Sequence, residues 1–317
     1  MTGRRPVRVA VIGCGAIGSL YGAHLARVPG VEVWAVDASA EHVAAIESRG
    51  LRVTGLADFT AEVHATTDGR DLPECDFGLV ATKALHTRAA VAGASAAVAG
   101  AAVASLQNGL GNEEAVAGLV PRVIRGSIVT AGALIAPGVV RYDARGETWL
   151  GPFEPSPAGS SEIEELTRLL NEGGLHATAL ADARGPQWTK VIFNSATSPL
   201  SALTGLPVGP VCTEPGLRQQ VDALIAEALA VVAQAGISLA RPPREAVDEA
   251  VAEAYGHKPS MLQDVLARRP TEIDALNGGI AAEGRRAGVP TPLHDCMVAL
   301  VKGLEASWPG QPGPPGA

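Results

Sequence analysis

A chain of 317 residues is long enough for about two domains of ~150 residues, each with its own core, which excludes a small disulfide-held scaffold. A formal net charge of -8 disfavours nucleic acid or an anionic membrane as the main partner and leaves a small molecule as the expected one. The four cysteines, Cys14, Cys75, Cys212 and Cys296, lie far apart without CxxC spacing, which fits neither a zinc site nor a disulfide framework and suits a reducing compartment.

Residues 1–8 run into an apolar strand of only about five residues, too short for the apolar region of a secretory leader, and the Ala-rich runs are interrupted by Gly, Ser and Gln, so a cytoplasmic chain without membrane spans is expected. Of 25 basic residues only Lys83, Lys190, Lys258 and Lys302 are lysines. In a chain that otherwise uses arginine, a lysine suggests a need for a movable pKa, because burial shifts an ammonium group readily and a guanidinium hardly at all.

In chain order, residues 7–12 form a β-branched strand, followed by a glycine turn and a helix reaching about residue 28. A second strand, 31–36, ends at Asp37, and Ser39 is placed to cap a helix that Gly50 stops. Strands over 77–81, 101–106 and 123–129 alternate with helices reaching 99 and spanning 113–119. That alternation predicts a parallel sheet covered on both faces. From 131 to 150 the pattern changes to short strands with turns at Pro137-Gly138 and Arg145-Gly146, expected to extend the sheet antiparallel. After a loop at 152–159, a helix at 161–170 and a strand at 176–180, only helices are expected: 185–197, 217–235, 244–254, 261–267, 272–287 and 292–305. The apolar helix 217–235 serves either as core, the expected use, or as a homodimer contact. The predicted organisation is an α/β nucleotide domain over 1–180, an all-α domain over 181–308, and a Pro/Gly-rich tail over 309–317 expected to fray.

Gly13-Cys14-Gly15-Ala16-Ile17-Gly18 fits G-x-G-x-x-G between a strand and a helix. The first glycine makes the turn, the second lets a pyrophosphate approach the backbone, and the third lets helix and strand pack closely. The helix N-terminus offers N–H groups to the phosphates. Asp37 stands where a carboxylate binds the adenosine ribose hydroxyls and repels a 2′-phosphate. Between Arg27 and Arg49 there is no Lys or Arg, so NADH is expected over NADPH. The alternative for Asp37 is a turn residue ahead of Ser39. The chain has no HExxH, nucleophile elbow or P-loop, and His24, His42 and His86 are expected in packing or surface roles.

Lys190, Asn194 and Ser198 recur every four residues, so they share one helical face until Pro199 is expected to end the helix. A lysine partly withdrawn from water can protonate an alkoxide formed by hydride addition. These residues lie in Trp188-Thr189-Lys190-Val191-Ile192-Phe193-Asn194 and Ser198-Pro199-Leu200. They occur with Ala81-Thr82-Lys83-Ala84, Leu106-Gln107-Asn108-Gly109-Leu110-Gly111, Pro259-Ser260-Met261-Leu262-Gln263-Asp264, Thr271-Glu272-Ile273-Asp274 and Asn277-Gly278. In this order and spacing, from about residue 7 to 305, the chain resembles the ketopantoate reductase (2-dehydropantoate 2-reductase) family.

The resemblance implies a Rossmann-type doubly wound sheet followed by an all-α C-terminal domain, with the active site between them. It implies that Lys190 is the general acid and that Glu272 lies near the forming hydroxyl and tunes the lysine. It also implies that Asn108, Asn194, Ser198 and Ser260 bind substrate, and that Lys83, Asn108 and Gly132 lie along the nicotinamide half of the cofactor. Local alternatives remain at three positions. Glu272 can be a first-turn acid favoured by the helix dipole, Ser260 an N-cap boxed with Gln263, and Asn108-Gly109 a simple turn. The chain departs from the family pattern at Ser198, where a second Asn is common, and at Asp37, where NADPH enzymes tend to be basic. Both departures point toward a paralogue acting on another 2-oxo acid or ketone; a non-catalytic NAD(H) sensor is the more distant reading.

Overall fold

The structure, a computed structural model, describes residues 5–309; residues 310–317, and with them nearly all of the expected tail, lie outside that range. The described residues divide into two compact units. The first comprises the chain to Gln107 plus Asn112–Ala183, and the second comprises Asn108–Gly111 plus the chain from Arg184.

The first unit contains β1 (Val7–Ile12), α1 (Ala16–Leu25), β2 (Val31–Val36), α2 (Ala40–Arg49), β3 (Leu51–Gly55), β4 (Phe59–Ala61), β5 (His64–Thr66) and β6 (Phe77–Val80). It continues with α3 (Thr87–Gly93), α4 (Ser95–Val98), β7 (Ala102–Ser105), α5 (Asn112–Ala117), β8 (Val123–Ile128), β9 (Ala131–Ala136), β10 (Val139–Ala144), β11 (Glu147–Pro152), α6 (Ser160–Glu172) and β12 (His176–Ala179). The large sheet runs β12-β11-β8-β7-β6-β1-β2-β5. Its parallel part, β5-β2-β1-β6-β7-β8, has the doubly wound order of dinucleotide-binding folds, with β1 central. Val9 aligns with Val33 on one side and Phe77 on the other. Both faces of β1 are dry because Val9, Ala10, Val11 and Ile12 have no exposed surface; odd positions join one apolar cluster and even positions the other.

Local signals account for much of this unit. Ser39 Oγ accepts the His42 N–H at 3.3 Å, and Gly50, with φ +74°, ends α2. The helix expected to reach residue 99 is instead two short ones, α3 and α4, separated by Ala94. His24 and His42 are buried packing residues. The expected antiparallel extension is corrected in part. Only β11 joins the large sheet, antiparallel to β8, whereas β9 and β10 leave it for a second sheet ordered β4-β3-β10-β9. In that sheet β10 runs parallel to β3, with Val140 opposite Val53. The partners are almost ninety residues apart, so the local pattern shows a hairpin and not the strand it joins. Strands β3, β4 and β5, LRVTG, FTA and HAT, escaped the sequence pattern because none carries a continuous apolar run.

The second unit is helical among the described residues: α7 (Arg184–Thr204), α8 (Val208–Thr213), α9 (Pro215–Gln234), α10 (Pro243–Glu253), α11 (Ser260–Leu266), α12 (Asn277–Ala287) and α13 (Pro292–Ala306). The apolar stripe of α9, including Val221, Leu224, Ile225, Ala228 and Val231, enters a core with Trp188, Ile192, Val211 and Ile280. Two boundary expectations are corrected. Helix α7 does not end at Pro199 but runs to Thr204 with the proline inside it. The helix expected from residue 272 starts at Asn277, so Glu272 lies in the turn before it. No helix of the described residues is long and apolar enough to cross a membrane, and all four cysteines are free thiols.

Candidate active site

The glycine turn of the first unit has the geometry its spacing predicts. Gly13 has φ +90°, and a Cβ there would stand 2.7 Å from the Thr82 backbone nitrogen, so no other residue fits. A Cβ on Gly18 would collide with the Gly13 carbonyl oxygen, which gives the close packing of α1 on β1. Around Gly15, by contrast, nothing lies within 4 Å of a Cβ. Gly15 is also the N-cap of α1, whose first turn holds no acidic residue. Open space and a first helical turn without an acidic side chain are the features that phosphate-binding turns use. Cys14 within this turn is buried, and burial pushes its thiol up to about 12, so it has no thiolate chemistry near neutrality.

Asp37 is built into the turn. Its Oδ2 accepts the Cys14 N–H at 2.8 Å and its Oδ1 accepts the Ser39 N–H at 2.9 Å. The carboxylate therefore joins the end of β2 to the glycine turn and to the cap of α2, a brace that the sequence reading did not foresee; each oxygen keeps a second lone pair for a ligand. Nearby lies Gln107. It is buried, and its Nε2 donates to the Thr82 carbonyl at 2.9 Å and to Thr87 Oγ1 at 2.7 Å, tying together the segments after β6 and β7. Lys83 opens the turn after β6. Gly132 lies on β9, where a Cβ would press on the Arg141 carbonyl at 2.8 Å.

The second unit brings together three of the expected residues. Lys190 Nζ donates to Asn108 Oδ1 at 2.7 Å, and Asn108 Nδ2 donates to Glu272 Oε2 at 3.2 Å. Asn108 thus uses both ends of its amide to bridge an ammonium and a carboxylate. The segment Asn108–Gly111 follows β7 in sequence but belongs to the helical unit. Leu110 N–H donates to the Ala275 carbonyl at 2.8 Å, and Gly109, at φ +90°, lies so close to Ala275 that a Cβ would meet its carbonyl oxygen at 2.5 Å. Glu272 is held from both sides. Thr271 donates to Glu305 Oε1 through its N–H at 2.8 Å and its hydroxyl at 2.6 Å, while Ile273 is fully buried. Neither Glu305 nor this anchoring was visible in the sequence, because the two groups lie thirty-four residues apart.

Withdrawal from water lowers the Lys190 ammonium from 10.5 to about 8, and the Glu272 carboxylate opposes that shift. A half-buried lysine that titrates near neutrality and is aimed by an amide is suited to proton transfer. Asn194 is half-buried and Ser198 buried, one and two turns farther along α7. Ser260 opens α11, which packs on α7. The expected capping box is absent there. Pro259 is the N-cap, Ser260 is exposed, and Gln263 Nε2 donates to the Lys258 carbonyl at 2.8 Å.

Comparison with known proteins identifies the family of the chain. The family model described as ketopantoate reductase PanE/ApbA matches residues 9–155, and that of its C-terminal domain matches 182–305. A 2-dehydropantoate 2-reductase of Pyrococcus horikoshii is 34% identical over 95% of this chain and 98% of its own length, and one of Archaeoglobus fulgidus is 33% identical over 95% and 99%. Among solved structures, a PanE/ApbA family ketopantoate reductase from Ralstonia eutropha superposes with a TM-score of 0.86 at 31% identity, covering 94% of this chain and 98% of that one. A D-mandelate dehydrogenase bound to NADH and anilino(oxo)acetate superposes with a TM-score of 0.85 at 26% identity, covering 95% and 99%. With both halves matched in order, the chain belongs to the PanE/ApbA ketopantoate reductase family, whose fold and general activity are those of an NAD(P)H-dependent 2-oxo acid reductase.

Proposed function

We propose that this protein reduces the keto group of a small 2-oxo acid with NADH, and that Lys190 is the proton donor. The observation that carries this reading is the Lys190–Asn108–Glu272 chain, in which an ammonium of lowered pKa is oriented by an amide and backed by a carboxylate. When bound, the reduced nicotinamide supplies the hydride that forms the new C–H bond. The electron pair of the carbonyl π bond then resides on oxygen, and Lys190 Nζ gives that oxygen its proton, so the product is a 2-hydroxy acid and the lysine is left neutral. The Asn108 oxygen, accepting at 2.7 Å, aims one N–H of the ammonium away from the substrate and so fixes the direction of the others. Glu272 keeps the amine basic enough to be protonated near pH 7. Asn194 orients the forming hydroxyl, and Ser198 and Ser260 contact the acid and its side chain. Gly13 to Gly18 hold the pyrophosphate, Lys83 and Gly132 lie along the nicotinamide half, and Asp37 takes the adenosine ribose hydroxyls.

Ketopantoate is the first candidate substrate. A second reading, a bulkier or aromatic 2-oxo acid, is favoured by Ser198, whose short side chain leaves more room than an asparagine would. It is also supported by the likeness to a D-mandelate dehydrogenase solved with NADH. The four free thiols suit a reducing cytoplasm. Initial rates measured as a grid, NADH and NADPH against ketopantoate and a series of aliphatic and aromatic 2-oxo acids, test the reading. NADH should be preferred, and a tenfold preference for NADPH would overturn the role given to Asp37. Cofactor binding without oxidation by any member of the series would overturn the assignment as a reductase.

A further inference from the structure

The helix that carries Lys190, Asn194 and Ser198 contains a defect. Pro199 lies inside α7 and has no N–H, so the Ser195 carbonyl four residues earlier lacks its helical donor. A proline in a helix interior usually kinks or ends the helix for this reason. Yet α7 continues for a further turn, and Ser195 and Pro199 are both buried, so water is poorly placed to fill the gap.

Asn277 fills it. This residue opens α12, is completely buried, and donates from Nδ2 to the Ser195 carbonyl at 2.9 Å. The other hydrogen of the same amide faces His294 Nδ1 at 3.1 Å, while His294 Nε2 lies 3.0 Å from the Leu224 carbonyl on α9. A carbonyl can only accept, so Nε2 carries the proton and Nδ1 accepts from Asn277, which fixes the amide's orientation. Asn277 Oδ1 is buried with no hydrogen-bond partner among the described residues. A buried amide that spends both N–H groups and leaves its oxygen unmatched is present as a donor.

We propose that Asn277 is a positioning residue for the active-site helix: its side-chain N–H replaces the backbone N–H that Pro199 lacks and holds the turn bearing Ser198 in register with Lys190. This inference rests on the reductase reading above. Lys190 and Asn194 precede the gap, which runs from the Ser195 carbonyl to Pro199, and Ser198 lies in the turn it leaves open. Loss of the splint therefore moves the substrate-contacting Ser198 relative to the proton donor, without touching either side chain or the Asn108–Glu272 chain.

The test is a double-variant cycle of Asn277→Ala and Pro199→Ala, because alanine at 199 restores the backbone donor. In Asn277→Ala the KM for the 2-oxo acid should rise about tenfold, the effect of roughly 1.4 kcal/mol. The KM for NADH and the pH at which turnover declines should stay unchanged. The double variant should recover most of the KM, and Asn277→Ala should lower the Tm less in the Pro199→Ala background than in the wild-type chain. If Asn277→Ala does not fold while the double variant does, the splint is supported by folding itself. A KM within twofold of wild type in Asn277→Ala overturns the positioning role, and so does a double variant as impaired as the single one. Failure of the reductase reading has a different signature. If the wild-type chain turns over no 2-oxo acid, the catalytic half of the proposal falls; the Tm cycle still decides the splint, which a non-additive cycle supports and an additive one overturns.

Discussion

Replacing Lys190 by methionine should separate catalysis from stability in a pH-dependent way. Methionine keeps most of the side-chain volume and removes the charge. In the folded protein the ammonium titrates at about 8, against 10.5 in an unperturbed chain. Below pH 8 both states hold the proton, and the folded state bears the penalty of a charge withdrawn from water. Between pH 8 and 10.5 the unfolded chain keeps the proton that the folded one has released, so unfolding free energy rises with pH across this window. Integrated over the shift, the increment is at most about 3 kcal/mol, less to the extent that the half-buried group retains solvent. Urea unfolding of wild type and Lys190→Met at half-unit intervals from pH 7 to 10.5 isolates it, since other titrating groups cancel in the difference. The wild type should gain on the variant as pH rises, while its rate of 2-oxo acid reduction falls above pH 8 as the donor loses its proton. The variant should retain cofactor binding and lose about 100-fold or more in turnover. Parallel stability curves for the two proteins, or a wild-type rate level to pH 10, would refute the reasoning.

Three further outcomes are expected. Gly15→Ala should leave the Tm within about 1 °C, because its Cβ enters open space, and should weaken NADH binding at least tenfold by calorimetry; Gly18→Ala should lower the Tm as well, because its Cβ meets the Gly13 carbonyl. A Gly15→Ala protein with unaltered NADH affinity would remove the phosphate from this turn. Asn108→Ala leaves Lys190 and Glu272 without their bridge and should reduce kcat about 100-fold through misplacement of the donor; steady-state rates within threefold of wild type would show that the lysine needs no guide. Burial holds His294 below its ordinary 6.5, outweighing the pull of the Leu224 carbonyl, Glu227 and Asp295. The unfolded chain therefore binds the extra proton first, and stability should fall as pH drops through 6.5. A His294→Asn protein should lose less stability between pH 7.5 and 5.5 in urea titrations, and an equal loss would contradict the assignment of His294 as the neutral acceptor for Asn277.

Much of the nucleotide unit was legible because its determinants are local. Strands β1 and β2 have the bounds that their β-branched runs predict, Ser39 caps α2, and the three glycines of the turn meet the three steric demands that their spacing implies. Non-local pairing was not legible. Residues 139–144 show a strand, but only packing chooses β3 over the large sheet as its neighbour. The same limit applied at Pro199, where the local rule stops a helix and a side chain seventy-eight positions away lets it continue.

At the candidate active site, the residue types and the four-residue spacing of Lys190, Asn194 and Ser198 were determined by the sequence itself, because helical periodicity is a property of the backbone. Gly13, Gly15 and Gly18 were likewise determined there, because the absence of a Cβ is a covalent fact. Tertiary structure alone decided that Asn108, three residues past β7, bridges Lys190 and Glu272, that Glu305 anchors Thr271, and that Lys190 titrates near 8. Each of these depends on which groups the folded chain brings within hydrogen-bond distance or removes from water. Spacing along a chain carries no information about either when the partners are thirty to one hundred and sixty residues apart.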